Sequence, residues 1–138
     1  MITELRAIAS AFITEPIPDS VSFKDKFTFN ERYAESQNII MKYPDRIPII
    51  CEQSSKTKKI VYSIAEKKKY LVPPDLTIAQ FMFVLRKRLK INSECGIYIF
   101  VKGTIPKASA TIGQLYESYK DEDGFLYFTY SQEATFGA

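Results

Sequence analysis

The 138-residue chain has no histidine. That removes the commonest general base, the commonest metal ligand and the usual charge switch near neutral pH. Its two cysteines, Cys51 and Cys95, stand in the apolar settings ICE and SECGIYIF, without the C-x-x-C spacing of a metal or redox site. Both read as buried, reduced packing residues, since free cysteine behaves as a small hydrophobe. No nucleophile has a base at a recognisable spacing, so the residues argue against an enzyme, and no metal or cofactor is expected. Two other chemistries remain. Basic residues cluster at 56–69 and 86–90 as candidate patches for an acidic partner, although a formal charge of +3 gives no reason to expect nucleic acid. Near the end of the chain, Gly137 precedes Ala138; taken alone, a glycine there reads simply as part of a flexible tail.

The element that must position the charged clusters is the stretch 67–89, KKKYLVPPDLTIAQFMFVLRKRL. Residues 69–72 mix basic, aromatic and β-branched types as a strand does, and Pro73-Pro74 then removes two consecutive ladder donors. Asp75 and Thr77 are both competent N-caps. Ile78, Phe81, Met82, Leu85 and Leu89 follow at three- and four-residue spacing, the buried stripe of a helix. The helix ends in Arg86-Lys87-Arg88, where cations meet the negative end of the macrodipole.

Elsewhere, residues 1–22 place Ile2, Leu5, Ile8, Ala9 and Phe12 near helical spacing before Pro16 and Pro18 break the pattern. This N-terminal extension reads either as mobile or as a short amphipathic helix that docks on a membrane, a partner or its own domain. Helix-forming sequence leads from Phe23 into 31–42, and Tyr43-Pro44 ends it. Residues 46–52 are a strand buried on both faces, with Pro48 interrupting one of its edges. Residues 53–65 read as a loop or irregular hairpin. Further strands are expected at 97–102 and 125–130, with a short helix between them over 112–119, capped by Thr111, and turn chemistry at 121–124. The expected body is one domain over 23–131, followed by a flexible tail over 132–138. Strand, strand, helix, strand, short helix, strand is an α+β order that suits a β-grasp with a four-stranded mixed sheet. No run approaches a membrane span, and the N-terminus lacks signal-peptide features, so a cytoplasmic chain is expected.

The sequence resembles the ubiquitin-like modifiers of autophagy, the family that includes the yeast autophagosome modifier and the GABA-receptor-associated protein. The resemblance is carried by Phe23-Lys24, the residues 32–36, YPDRIPIICE at 43–52, KKKYLVP at 67–73, DLTIAQF at 75–81, RKRL at 86–89, SATIGQLY at 109–116, DGFLYFTYS at 123–131 and the TFG ending at Gly137. It implies a ubiquitin-like β-grasp with two additional N-terminal helices. It further implies a protein that is itself a tag: a cysteine protease cuts between Gly137 and Ala138, activating and conjugating enzymes carry the new terminus as a thioester, and Gly137 ends amide-linked to phosphatidylethanolamine on autophagosomal or related membranes. A glycine suits that chemistry, because no Cβ crowds the carbonyl under attack.

The resemblance also implies that receptors bearing aromatic-x-x-aliphatic peptides add a strand beside the second strand. One pocket would draw on Glu35, Ile39, Pro48, Ile50, Lys69, Leu71 and Phe125, and a second on Tyr70, Val72, Pro73, Leu76, Phe81, Val84 and Leu85. Arg46, Lys67 and Arg88 would meet acidic residues flanking the peptide. On this view Leu71 and Phe81 can be truncated together to abolish binding while the fold stays mostly intact. The alternative is a β-grasp module that is never conjugated and binds peptides or a cytoskeletal or nucleic-acid surface. The chain differs from the family pattern in its longer N-terminal arm, its longer 53–65 loop and the single alanine after the glycine.

Overall fold

A computed structural model describes residues 22–54, 68–92 and 94–132. The N-terminal arm up to residue 21, most of the 53–65 segment, Lys67 and the tail with Gly137 and Ala138 lie outside the described residues.

The chain begins with α1 (Phe23–Lys26), whose first turn is closed by the Ser22 hydroxyl accepting from the Asp25 N–H, and continues into α2 (Phe29–Lys42). Thr28 and Glu31 form a reciprocal capping box at the start of α2, so this helix begins two residues before the expected 31. Four strands follow, β1 (Ile47–Gln53), β2 (Lys69–Val72), β3 (Tyr98–Phe100) and β4 (Leu126–Ser131), in the spatial order β2-β1-β4-β3. β1 runs antiparallel to β2 and parallel to β4, while β3 is antiparallel to β4, which makes the sheet mixed as a β-grasp requires. α3 (Ile78–Leu89) and α4 (Ile112–Tyr119) start with the same device, Thr77 with Gln80 and Thr111 with Gln114. The expected strand at 97–102 is shorter. A tight turn at Lys102 and Gly103, both at positive φ, folds Val101 back onto Thr104 and ends the ladder.

Period-two alternation sends the strand side chains to two cores. Ile47, Ile49, Cys51, Tyr70, Val72, Leu126 and Phe128 pack with Ile78, Phe81, Val84, Leu85 and Leu89 of α3. Ile50 and Leu71 point the other way and pack with Phe23, Ile39 and Phe125 beneath α1 and α2. The sheet is thus covered on both faces, and β1 is buried from Ile47 to Cys51. Of the two cysteines, Cys51 is buried, whereas Cys95 is only half-buried in the connection after α3, where it touches the edge of the larger core.

Candidate functional site

Among the described residues β2 is an edge strand, paired to β1 alone. The Cys51 N–H donates to the Lys68 carbonyl at 2.9 Å, which sets the parity of the antiparallel ladder. Ile49 with Tyr70 and Ile47 with Val72 are then hydrogen-bonded pairs, and Ile50 with Lys69 and Pro48 with Leu71 are the alternate pairs, whose main-chain groups turn away from each other. The N–H and C=O of Lys69 and Leu71 therefore face away from β1. The same parity explains Pro48: its nitrogen faces the β4 side, and pairing with β4 begins only at Ile49, so the ladder loses no bond there.

The residues of the first expected pocket come together on the α2 side of the sheet. Ile39, Ile50, Leu71 and Phe125 share one cluster with Phe23, and Pro48 is buried nearby. Phe23 meets Phe125 edge-on at 5.3 Å. The Lys69 ammonium, bonded to Glu35, ties β2 to α2 and lies 5.6 Å from the centre of the Phe23 ring. The second set gathers on the opposite face. Phe81 stands between Tyr70 and Phe128, nearly perpendicular to each at 5.4 Å, with Val72, Leu76, Val84 and Leu85 in the same core and Pro73 half-buried at its rim. The Arg88 guanidinium lies 5.1 Å from the centre of the Tyr70 ring. Arg46 reaches the Asp45 carboxylate at 3.2 Å.

Apart from the two prolines, no apolar member of either set is more than 8% exposed. Each pocket is filled by its own side chains, and Leu71 and Phe81 are structural members of separate cores. Burial also sets the protonation of nearby groups. It pushes the Cys51 thiol up, so this sulfur carries no thiolate at neutral pH. The Tyr70 phenol is likewise held far above its ordinary value by burial, with Cys51 and Tyr130 adding to the shift and Arg88 opposing it.

One group of residues around the first pocket carried no site expectation. Asp123, read only as turn chemistry, is fully buried and accepts from Arg32 Nε at 2.8 Å, from the Tyr127 hydroxyl at 2.5 Å and from the Phe125 N–H at 2.9 Å. Arg32 also donates to the carbonyls of Lys24 and Phe27, and the Ser36 hydroxyl donates to the Asp123 carbonyl. The bond to Asp123 holds the Arg32 guanidinium above its ordinary value despite partial burial. Together these bonds fasten α1 and α2 to the segment leading into β4, which carries Phe125 of the first set. Their only sequence signal was Arg32 and Ser36 one turn apart on a face that returns to a D-x-D-G segment.

Comparison with known proteins fits this geometry. A family model described as "Autophagy protein Atg8 ubiquitin like" matches residues 31–137. Autophagy-related protein 8 of Schizosaccharomyces pombe is 52% identical over 115 residues, 83% of this chain and 93% of that protein. The protein of the same name from Aspergillus niger is also 52% identical over 115 residues, covering 83% of this chain and 95% of its own. Among solved structures, ATG8 of Trypanosoma brucei matches with a TM-score of 0.74 at 41% identity, covering 83% of this chain and 97% of that one. Plasmodium falciparum Atg8, solved in complex with a Plasmodium falciparum Atg3 peptide, matches with a TM-score of 0.72 at 38% identity, covering 85% and 98%.

Proposed function

The chain belongs to the Atg8 family of ubiquitin-like autophagy proteins, and from that premise we propose that it is a modifier conjugated through Gly137 to phosphatidylethanolamine. The observation that carries the reading is that the family match runs collinearly through the tail and reaches residue 137, the glycine. A cysteine protease hydrolyses the Gly137–Ala138 amide. The new carboxylate is adenylated and passed to a conjugating-enzyme thiol as a thioester; the lipid amine then attacks the thioester carbonyl, releasing the thiol and leaving an amide. A partner of the Atg3 type is extended to this chain from the Plasmodium relative, which was solved with an Atg3 peptide. No helix among the described residues is long and apolar enough to cross a membrane, and in this proposal the lipid supplies the anchor, with free protein in the cytoplasm and the conjugate on autophagosomal membranes.

The β2 edge supports a second activity of the same protein, capture of receptor peptides by strand addition. Two anchors in an aromatic-x-x-aliphatic peptide are three residues apart. An odd separation puts them on opposite faces of an added strand, and the two residue sets flanking β2 occupy opposite faces of the sheet. Lys69, Arg46, Arg88 and Lys67 would supply positive charge at the rim, with Glu35 positioning Lys69.

The test is the intact mass of protein recovered from cell membranes. Loss of Ala138 together with gain of one phosphatidylethanolamine, minus water, is expected. Membrane-bound protein that retains Ala138 and carries no lipid would overturn the reading.

A further inference from the structure

Ile39, Ile50, Leu71 and Phe125 of the first set are each at most 1% exposed, and the ring packed among them is Phe23 of α1, itself fully buried. Phe23 meets Phe125 edge-on at 5.3 Å and Phe27 at 5.0 Å, with the Lys69 ammonium 5.6 Å from its centre. These are the surroundings that an aromatic ring favours. A peptide strand bonded to the outward groups of Lys69 and Leu71 would bring one of its side chains to this same face of the sheet. Interiors are close-packed, so an aromatic anchor can enter only if a side chain already there leaves.

The attachments decide which one. Ile50 and Leu71 belong to paired strands, and Phe125 is fixed by its N–H donating to Asp123 and its carbonyl accepting from the Asp121 N–H. Ile39 lies in the 14-residue α2, which is tied down by Arg32 to the buried Asp123 and by Glu35 to Lys69. Phe23 stands instead on a four-residue helix, joined to α2 through Phe27 and Thr28, both in extended conformation. Among the described residues, the hydrogen bonds from α1 to the rest of the body are the Phe23 N–H to Glu52 at 2.8 Å, Lys24 to Asp121 at 2.7 Å, and Arg32 to the Lys24 and Phe27 carbonyls. The Lys24 side chain is 47% exposed, and an ion pair so open to water contributes little. Rotation about Phe27 and Thr28 would carry Phe23 out and leave the other four side chains in place.

We propose that Phe23 is an internal plug of the first pocket, and that an aromatic peptide anchor enters by displacing it as α1 swings outward. This rests on the strand addition proposed for β2 and adds its regulation. Affinity is reduced by the fraction of molecules whose pocket is plugged, so whatever loosens α1 strengthens peptide capture.

The test uses the full chain with 4-fluorophenylalanine at position 23, titrated with an aromatic-x-x-aliphatic peptide and with the same peptide whose aromatic anchor is alanine, while amide exchange in β2 is followed. The fluorine signal is expected to pass from a buried to a solvent-exposed environment, read by its shift between H2O and D2O, only as the aromatic peptide binds. Phe23→Ala is expected to bind that peptide at least about fivefold more tightly than wild type, and Lys24→Gln about twofold more tightly. Lys24 belongs to neither core, so its variant reports even where Phe23→Ala fails to fold. Slowed exchange at Lys69 and Leu71 with position 23 still buried at saturation, or a Lys24→Gln affinity no higher than wild type, would overturn the plug and leave strand addition standing. A peptide that binds without protecting those amides, or does not bind, would overturn both.

Discussion

Tyr70 is a tyrosine whose surroundings use only its ring: it packs edge-on against Phe81, yet its hydroxyl is buried with no hydrogen-bond partner among the described residues. An unsatisfied buried hydroxyl is destabilising, so Tyr70→Phe is expected to raise stability by about 1 kcal/mol in urea titration. Unchanged or lower stability would mean that the hydroxyl has a partner. Phe81 behaves in the opposite sense. At 0% exposure and flanked by Tyr70 and Phe128, it fills a site that alanine would leave empty, so Phe81→Ala should cost about 3–5 kcal/mol by the same titration. Truncating Leu71 and Phe81 together would therefore confuse lost binding with lost folding. Asp121 makes the fold acid-sensitive. Burial opposes its charge, but the bonds from the Lys24 ammonium and the Asp123 N–H outweigh burial and hold its carboxyl below the ordinary 3.8. A carboxyl lower in the folded than in the unfolded state contributes stability that is fully present above the unfolded value and lost as pH falls through the folded one. Between about pH 5 and about pH 2 the melting temperature of wild type is expected to fall more steeply than that of Asp121→Asn. Equal slopes would count against a contribution from the Lys24–Asp121 tie.

At the scale of elements, β2 is short, terminated by prolines and, among the described strands, at the edge of the sheet, and strand addition there needs outward main-chain groups. Replacing the Leu71 amide with an ester deletes one outward donor and keeps the side chain in its core. Receptor-peptide affinity is expected to fall about fivefold, the equivalent of one neutral hydrogen bond, with little change in stability. Equal affinity would remove β2 as the docking strand. Much of this element was legible from sequence: Pro73-Pro74 marks its end, and Thr77 and Thr111 cap helices where their type and position indicate. The capping box that Thr28 forms with Glu31 is hidden in the sequence by the aromatic residues on either side of Thr28. The apolar run of β3 continues past Phe100, so its end is not marked in the sequence, and only the left-handed turn at Lys102 and Gly103 shows where the ladder stops. The two residue sets flanking β2 followed from family resemblance. The burial of their aliphatic and aromatic members could not be read from one sequence, since an apolar residue at helical or strand spacing serves a core and a pocket rim equally well. Asp123 was out of reach for a related reason: a buried aspartate and a turn aspartate look alike until Arg32, 91 residues away in sequence, is seen against it.

The whole molecule joins a β-grasp body, where two cores fix the β2 edge, to a tail that in the proposed function carries the reactive carbonyl at Gly137. The body should fold and recognise peptides whatever residue occupies position 137, because that position follows the last described strand. Conjugation should not tolerate such a change, since a side chain at 137 crowds the carbonyl that the protease, the activating enzyme and the lipid amine must each approach. The alternative, a binding module that is never conjugated, is indifferent to residue 137. The decisive measurement is the lipid-linked fraction of Gly137→Ala in cells, compared with wild type and with a chain ending at Gly137. The Gly137→Ala protein is expected to be folded, competent in peptide binding and free of phosphatidylethanolamine, while the chain ending at Gly137 is conjugated without the protease. Gly137→Ala protein attached to phosphatidylethanolamine as efficiently as wild type would contradict the modifier account and leave the plain binding module in its place.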